Sequence, residues 1–253
     1  MTFISRYVTV AGRRLHVKSR TAPGVPWVLL HGLAVSHRYL MPTARALPGP
    51  VHAPDLPGFG RSAAPRRVLG PREHAAVIAA WMDAEGMRGA RLLGGSYGCQ
   101  VAAELAIARP DLVSLLVLAG PTADPAAGSA RHVLRLLRDL PTEDPRQLPV
   151  VTAGALAAGP RRILGTLRAA VRHRMEDRLP LVTAPILLLR GRRDPIAPDA
   201  WTSHLATVAG CRSITLAGAH NVVTTAGPRV AAAATAFAAE ATPEKISETD
   251  QKA

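Results

Sequence analysis

The chain has 253 residues, of which 48% are hydrophobic and 19% charged, enough for one sizeable core with a small inserted lobe. That balance excludes a mainly disordered, collagen-like or heptad-dominated chain, and no apolar run reaches the roughly 18 residues of a membrane span. The formal charge of +13 invites a nucleic-acid reading, but 28 of the 31 basic residues are arginines scattered from Arg6 to Arg229, without a long basic run or a recognition motif, so no nucleic-acid partner is expected.

Met1 to Lys18 alternates polar and apolar residues and lacks a basic head followed by an apolar secretory segment, so export by that route is not expected. Within it, Tyr7-Val8-Thr9-Val10, a turn at Ala11-Gly12 and Leu15-His16-Val17 read as a β-hairpin. Six short apolar runs follow: Trp27 to Leu30, Val51 to Ala53, Arg91 to Leu93, Leu115 to Leu118, Ile186 to Leu189 and Ser213 to Leu216. They have the character of buried parallel strands. Between them, Ala75, Ile78, Trp81 and Met82 form one helical stripe, and Val101, Leu105 and Ala108 another. Strands alternating with helices predict an α/β fold, a parallel sheet covered on both faces.

One interval breaks the alternation. Pro121 to Thr183 holds no convincing strand and is bounded by Pro121, Pro125, Pro180 and Pro185. Ile163, Leu164, Leu167 and Val171 form an apolar face there, with Arg161, Arg168 and Arg172 elsewhere, which predicts a small helical insertion over the sheet. Val230 to Ala241 reads as a closing helix with Pro228 near its start, and Thr242 to Ala253 as a frayed tail. Cys99 and Cys211 are too few for a disulfide framework, and free thiols fit a reducing cytoplasm.

The sharpest chemical signal is Gly94-Gly95-Ser96-Tyr97-Gly98, directly after one predicted strand and directly before a helix. This is the context of a nucleophile elbow, in which glycines permit a tight turn that lifts the serine hydroxyl clear of the sheet edge. A serine alcohol is a weak nucleophile at neutral pH and needs a base and a group that orients the base. Asp194 lies just past the strand ending at Leu189, and His220 just past the strand ending at Leu216. The rival acid is Asp124, which follows the strand Leu115 to Leu118. Oxyanion donors are expected from the backbone N–H groups of Leu33 and Tyr97, and a substrate pocket from His31, Gly32, Leu33 and Tyr97. His31 reads as a loop-structuring residue, and Cys99 as helix packing.

With His31-Gly32, Asp55-Leu56-Pro57-Gly58-Phe59-Gly60-Arg61-Ser62, the elbow at Ser96, Asp194 and His220 in this order, nearly the whole chain resembles the α/β-hydrolase superfamily. The resemblance implies an α/β-hydrolase fold with a mostly parallel eight-stranded sheet. The core would be 1–120 and 184–241, with 121–183 a helical cap over the active site. It implies no cofactor and no metal, and the sequence shows neither paired histidines at metal-ligand spacing nor a phosphate-cradling loop. Ser96 at the elbow argues against haloalkane dehalogenases and epoxide hydrolases, similar proteins that use aspartate there.

The expected activity is hydrolysis of a carboxylic ester of a small-molecule substrate through an acyl-serine. Four alternatives stay open on this fold: a carbon–carbon bond hydrolase of aromatic ring-cleavage products, a non-hydrolytic lyase or cyclase, a cofactor-free oxygenase, or a binding protein. The insertion carries ten arginines against six acids. One or two of them pointing inward would select an acidic or phosphorylated acyl group.

Overall fold

A computed structural model describes residues 2–122, 124, 134–135, 138–139 and 144–241. The expected tail, 242–253, lies outside the described residues. The chain opens with β1 (Ile4–Val10) and β2 (Arg13–Arg20), joined by a tight turn at Ala11 and Gly12 with φ of 48° and 71°. Positive φ at both turn positions matches the right-handed twist of the strands it connects.

β3 (Trp27–Leu30), β4 (Val51–Pro54), β5 (Ala90–Gly95), β6 (Val113–Ala119), β7 (Ile186–Gly191) and β8 (Arg212–Leu216) complete an eight-stranded sheet in the order β1-β2-β4-β3-β5-β6-β7-β8. Only the β1–β2 and β2–β4 pairs are antiparallel. β2 outruns the predicted Leu15 to Val17 because Lys18, Ser19 and Arg20 pair with β4, a contact that local alternation does not encode.

Apolar side chains of the central strands point alternately to two cores. Val28, Leu30, Leu92, Leu116, Leu118 and Leu188 face one, and Trp27, Leu29, Leu93, Val117, Leu187 and Leu189 the other. The first is closed by α2 (Pro71–Ala84) and α3 (Tyr97–Ala108), the second by α1 (His37–Ala46). Pro71 opens α2, where its missing N–H costs nothing, and Glu73 accepts from the Gly70 amide at 2.7 Å.

Between β6 and β7 the described residues hold helices and no strand: α4 (Leu148–Ala158), α5 (Pro160–Arg172) and α6 (Met175–Arg178). After β7 come α7 (Asp199–Val208), β8, the short α8 (Val222–Thr225) and α9 (Gly227–Ala241). The face predicted for α5 is divided differently in space. Thr166 and Ala170 are the buried residues, Ile163 and Leu167 face a cavity, and Leu164 is exposed.

α3 holds this segment through two polar side chains. Gln100 Nε2 donates to the Ala170 carbonyl at 2.9 Å. The buried Glu104 carboxylate accepts from His173 Nε2 at 2.7 Å and from Arg178 at 2.9 and 3.1 Å, and Arg72 adds an ion pair. Burial alone would raise the Glu104 pKa, but the hydrogen bonds from His173 and Arg178 outweigh it and bring it down to about 2.

A carboxyl depressed by folding stabilises fully above its unfolded pKa, and that contribution is lost as pH falls through the folded value. Glu104→Gln is therefore expected to flatten the acid limb of stability between about pH 5 and 2. Urea unfolding at stepped pH measures this, and an unchanged limb would assign the acid sensitivity to other carboxylates.

Candidate active site

β5 ends at Gly95, and Ser96 turns the chain into α3 with φ 53° and ψ −120°. Such a backbone costs a non-glycine residue about 1–3 kcal/mol and persists only where its surroundings impose it. Here Ser96 N donates to the Ala119 carbonyl and Cys99 N to the Ser96 carbonyl, both at 2.9 Å. The turn also needs close backbone approach. A Cβ on Gly94 would stand 2.5 Å from the Gly98 carbonyl oxygen, and one on Gly98 would collide with the carbonyl of Leu30. Cys99 packs in this corner, its thiol within reach of the carbonyls of Gly94 and Ala119, to one of which its single S–H donates. Burial pushes that thiol well above its ordinary pKa.

Ser96, His220 and Asp194 meet at the carboxyl ends of β5, β8 and β7. Ser96 Oγ lies 2.9 Å from His220 Nε2, and His220 Nδ1 lies 2.8 Å from Asp194 Oδ2. With the carboxylate as acceptor, Nδ1–H donates to Asp194 and Nε2 is left to accept from the serine hydroxyl. Asp194 Oδ1 accepts from the amides of Ile196 and Ala197, both at 2.8 Å. Burial opposes ionisation of Asp194, but His220 and these amide donors outweigh it and hold the pKa below its usual value. Gly120, with φ 64°, packs under the imidazole, where a Cβ would lie 3.0 Å from His220 Cε1. The rival acid Asp124 is placed against Arg135, its Oδ2 2.8 Å from Nη1. This arrangement can draw a proton from a serine hydroxyl.

The expected pocket set needs correction. Gly32 and Leu33 line a cavity of about 440 Å³ that reaches Ser96 and His220, but His31 and Tyr97 do not. The His31 ring is fully buried: Nδ1–H donates to the Gly32 carbonyl at 2.8 Å and Nε2 accepts from the Leu56 amide at 2.9 Å. Burial lowers its pKa. It therefore fixes the loop after β3, as a loop-structuring residue would.

The Tyr97 side chain turns away from the cavity into the core, where its hydroxyl meets His74 Nδ1 at 2.9 Å. His74 Nε2–H is committed to the Pro57 carbonyl at 3.1 Å, so Nδ1 accepts from the phenol. Burial pushes the His74 pKa down to about 4 and that of Tyr97 up.

The rest of the cavity wall is mostly apolar, with Val151, Ile163, Leu167 and Ile196 prominent. Among the described residues no arginine lines it; its charged groups are Asp139 and Asp144. Of the arginines expected to be able to point inward, Arg161, Arg168 and Arg172 occupy the exposed side of α5, and Arg131 lies outside the described residues. Sequence reasoning also missed Tyr39, whose hydroxyl donates to Asn221 Oδ1 at 2.8 Å and ties α1 to the residue after His220. The only hint was the adjacency of Asn221 to His220.

His16, His37 and Asp55 are a buried group of possible metal ligands. Asp55 instead serves as a hydrogen-bond hub. Its oxygens accept from His16 Nδ1, His37 Nδ1 and the amides of His37 and Arg61 at 2.7–2.9 Å. Burial opposes its charge, yet these donors hold its pKa far below the usual range.

The alpha/beta hydrolase family model matches residues 27–234, and the chain belongs to that family. A haloalkane dehalogenase of Mycobacterium marinum is 31% identical over 180 residues, covering 66% of this chain and 57% of the relative. Lipase LipV of Mycobacterium tuberculosis is 37% identical over 124 residues, 47% of this chain and 46% of the relative. The matches span about half the length of these two curated relatives. A thermophilic esterase from Thermogutta terrifontis has a similar structure, with a TM-score of 0.77 over 94% of this chain and 99% of that one at 21% identity. No helix among the described residues is long and apolar enough to cross a membrane.

Gly98→Ala is expected to destabilise the fold by about 3 kcal/mol, the upper end for an overpacked site, because the new methyl group meets the Leu30 carbonyl. The urea midpoint of the variant measures this. An unchanged midpoint would mean that the turn has room the backbone distances deny.

Proposed function

We propose that the protein is a serine hydrolase that cleaves a carboxylic ester, or a related acyl bond, of a small apolar substrate through an acyl-serine intermediate. The observation that carries this reading is the unbroken hydrogen-bond chain from Asp194 through His220 to Ser96 Oγ at an apolar cavity.

His220 Nε2 takes the Ser96 proton as Oγ attacks the carbonyl carbon, and the resulting imidazolium is stabilised by Asp194. The amides of Leu33 and Tyr97 donate to the oxyanion. Tyr97 N–H belongs to the first turn of α3, where amides lack helical acceptors and the helix dipole favours negative charge. His220 then protonates the leaving alcohol. Water, deprotonated by the same nitrogen, attacks the acyl-serine and releases the acid.

The serine at the elbow separates this chemistry from the aspartate-based reaction that sequence analysis ties to haloalkane dehalogenases. Similarity to a lipase and an esterase supports the ester assignment. In this reading 121–183 act as a cap on a core of 1–120 and 184–241. Val151, Ile163 and Leu167 from that segment receive an uncharged acyl group. The free thiols Cys99 and Cys211 fit a cytoplasmic setting.

The test is labelling of the purified protein with a fluorophosphonate, alongside turnover of nitrophenyl esters of increasing acyl length. Ser96→Ala is expected to abolish labelling and to lower kcat about 10⁶-fold with the fold retained. Labelling that survives in this variant, or a folded wild type inert to probe and esters alike, would refute the assignment.

Asp194→Asn is expected to slow turnover about 10⁴-fold by favouring the wrong histidine tautomer. Asp124→Asn should leave kcat within a few-fold of wild type. The reverse pattern would transfer the orienting role to Asp124.

A further inference from the structure

From Pro145 to Met175 the chain carries six arginines and neither aspartate nor glutamate. α4 has no charged residue at all. Gly154 presses its inner face onto the loop after β3, so closely that a Cβ would collide with the Ala34 carbonyl. Leu148, Thr152 and Leu156 repeat at i, i+4 and i+8 on the outer side, and all three are exposed, Leu156 to 84%.

On α5, Arg161, Leu164, Arg168 and Arg172 succeed one another by three or four residues and form one exposed stripe. Arg161, Arg168 and Arg172 pair with no carboxylate among the described residues. Among the described residues, three of the eight exposed large hydrophobic side chains, Leu148, Leu156 and Leu164, lie on these two helices.

We infer that the outer faces of α4 and α5 dock on an anionic phospholipid surface. Leu148, Leu156 and Leu164 enter the acyl boundary, and Arg161, Arg168 and Arg172 meet phosphate oxygens. Charge selects this occupant. A second copy packed on the same face would oppose arginine with arginine, whereas a bilayer bearing anionic headgroups supplies the acids that the segment lacks.

Leu148 belongs both to the exposed stripe and to the cavity wall. Docking therefore brings the cavity rim to the lipid surface, and on the ester-hydrolase reading this admits substrates dissolved in the membrane.

Binding is measured on the full chain carrying Ser96→Ala, so that hydrolysis does not alter the vesicles. Co-sedimentation uses vesicles of phosphatidylcholine with and without phosphatidylglycerol. Binding to the mixed vesicles is expected, at least tenfold stronger than to the neutral ones and weakened by salt. Leu156→Asp should weaken it about tenfold. The triple variant R161Q/R168Q/R172Q should weaken it about a hundredfold, from the usual worth of a surface arginine at an anionic membrane.

Arg38→Gln with Arg45→Gln, in the basic hollow beside α1, should leave binding unchanged. Circular dichroism verifies that each variant is folded. Absence of binding, or binding that survives both sets of α4–α5 substitutions, overturns the proposal. So does a dimer in sedimentation velocity that Leu156→Asp dissociates. Because soluble esters and the fluorophosphonate probe report turnover without lipid, failure here is separable from failure of the hydrolase reading.

Discussion

The positive φ of Ser96 is the constraint on which the site depends. It reverses the chain within one residue at the end of β5, so that the hydroxyl leaves the sheet as α3 begins. Its cost is met by contacts that reach across the sheet. The Ala119 carbonyl on β6 accepts the Ser96 amide, and the Leu30 carbonyl on β3 lies where a Gly98 side chain would otherwise be. The parallel order β3-β5-β6-β7-β8 then delivers Asp194 and His220 to the same end of the sheet, because every parallel strand ends its run on one edge.

Buried charge is distributed by the same economy. Asp194, Asp55 and Glu104 are all withdrawn from water, and each is kept ionised by donors that outweigh its desolvation. Their consequences differ with their partners. Asp194 orients a histidine that touches Ser96, Asp55 ties β2 and α1 to the loop after β4, and Glu104 fastens the segment after α5 to α3. His31 and His74 show the opposite response, since burial lowers the pKa of each and their ring nitrogens are spent on backbone and phenol partners. A histidine near the site is thus not automatically a proton carrier; what its two nitrogens touch decides.

The helices between β6 and β7 work on two sides. Val151, Ile163 and Leu167 form part of the cavity wall, while Leu156, Leu164 and the arginines of α5 face outward. Small residues make this double duty possible. Gly154 lets α4 lie directly on the Ala34 backbone, and Gly165 brings α5 against Val68, so both helices sit close enough to enclose a cavity of about 440 Å³.

Much of this was legible in the chain. Alternating apolar runs and helical stripes located the strands, α2 and α3, because fully buried parallel strands need unbroken apolar residues and a two-sided cover, whereas α1, which closes the second core, was not read from its pattern. The glycines around Ser96 and the order Ser96, Asp194, His220 pointed to the candidate site, because a strained turn and a carboxylate–imidazole–hydroxyl hydrogen-bond chain tolerate few residue types.

What periodicity could not convey was direction and long-range pairing. Tyr97 follows the elbow serine, yet its ring turns into the core toward His74; Arg161, Arg168 and Arg172 of α5 lie on its exposed side; Tyr39 reaches Asn221 across 182 positions of sequence. Strand and helix repeats are local properties of the backbone, so the sequence by itself determined which segments form and which residues could do chemistry. Side-chain direction, cavity lining and the choice of Asp194 over Asp124 as the partner of His220 are set by contacts between distant segments, and only the tertiary structure decided them.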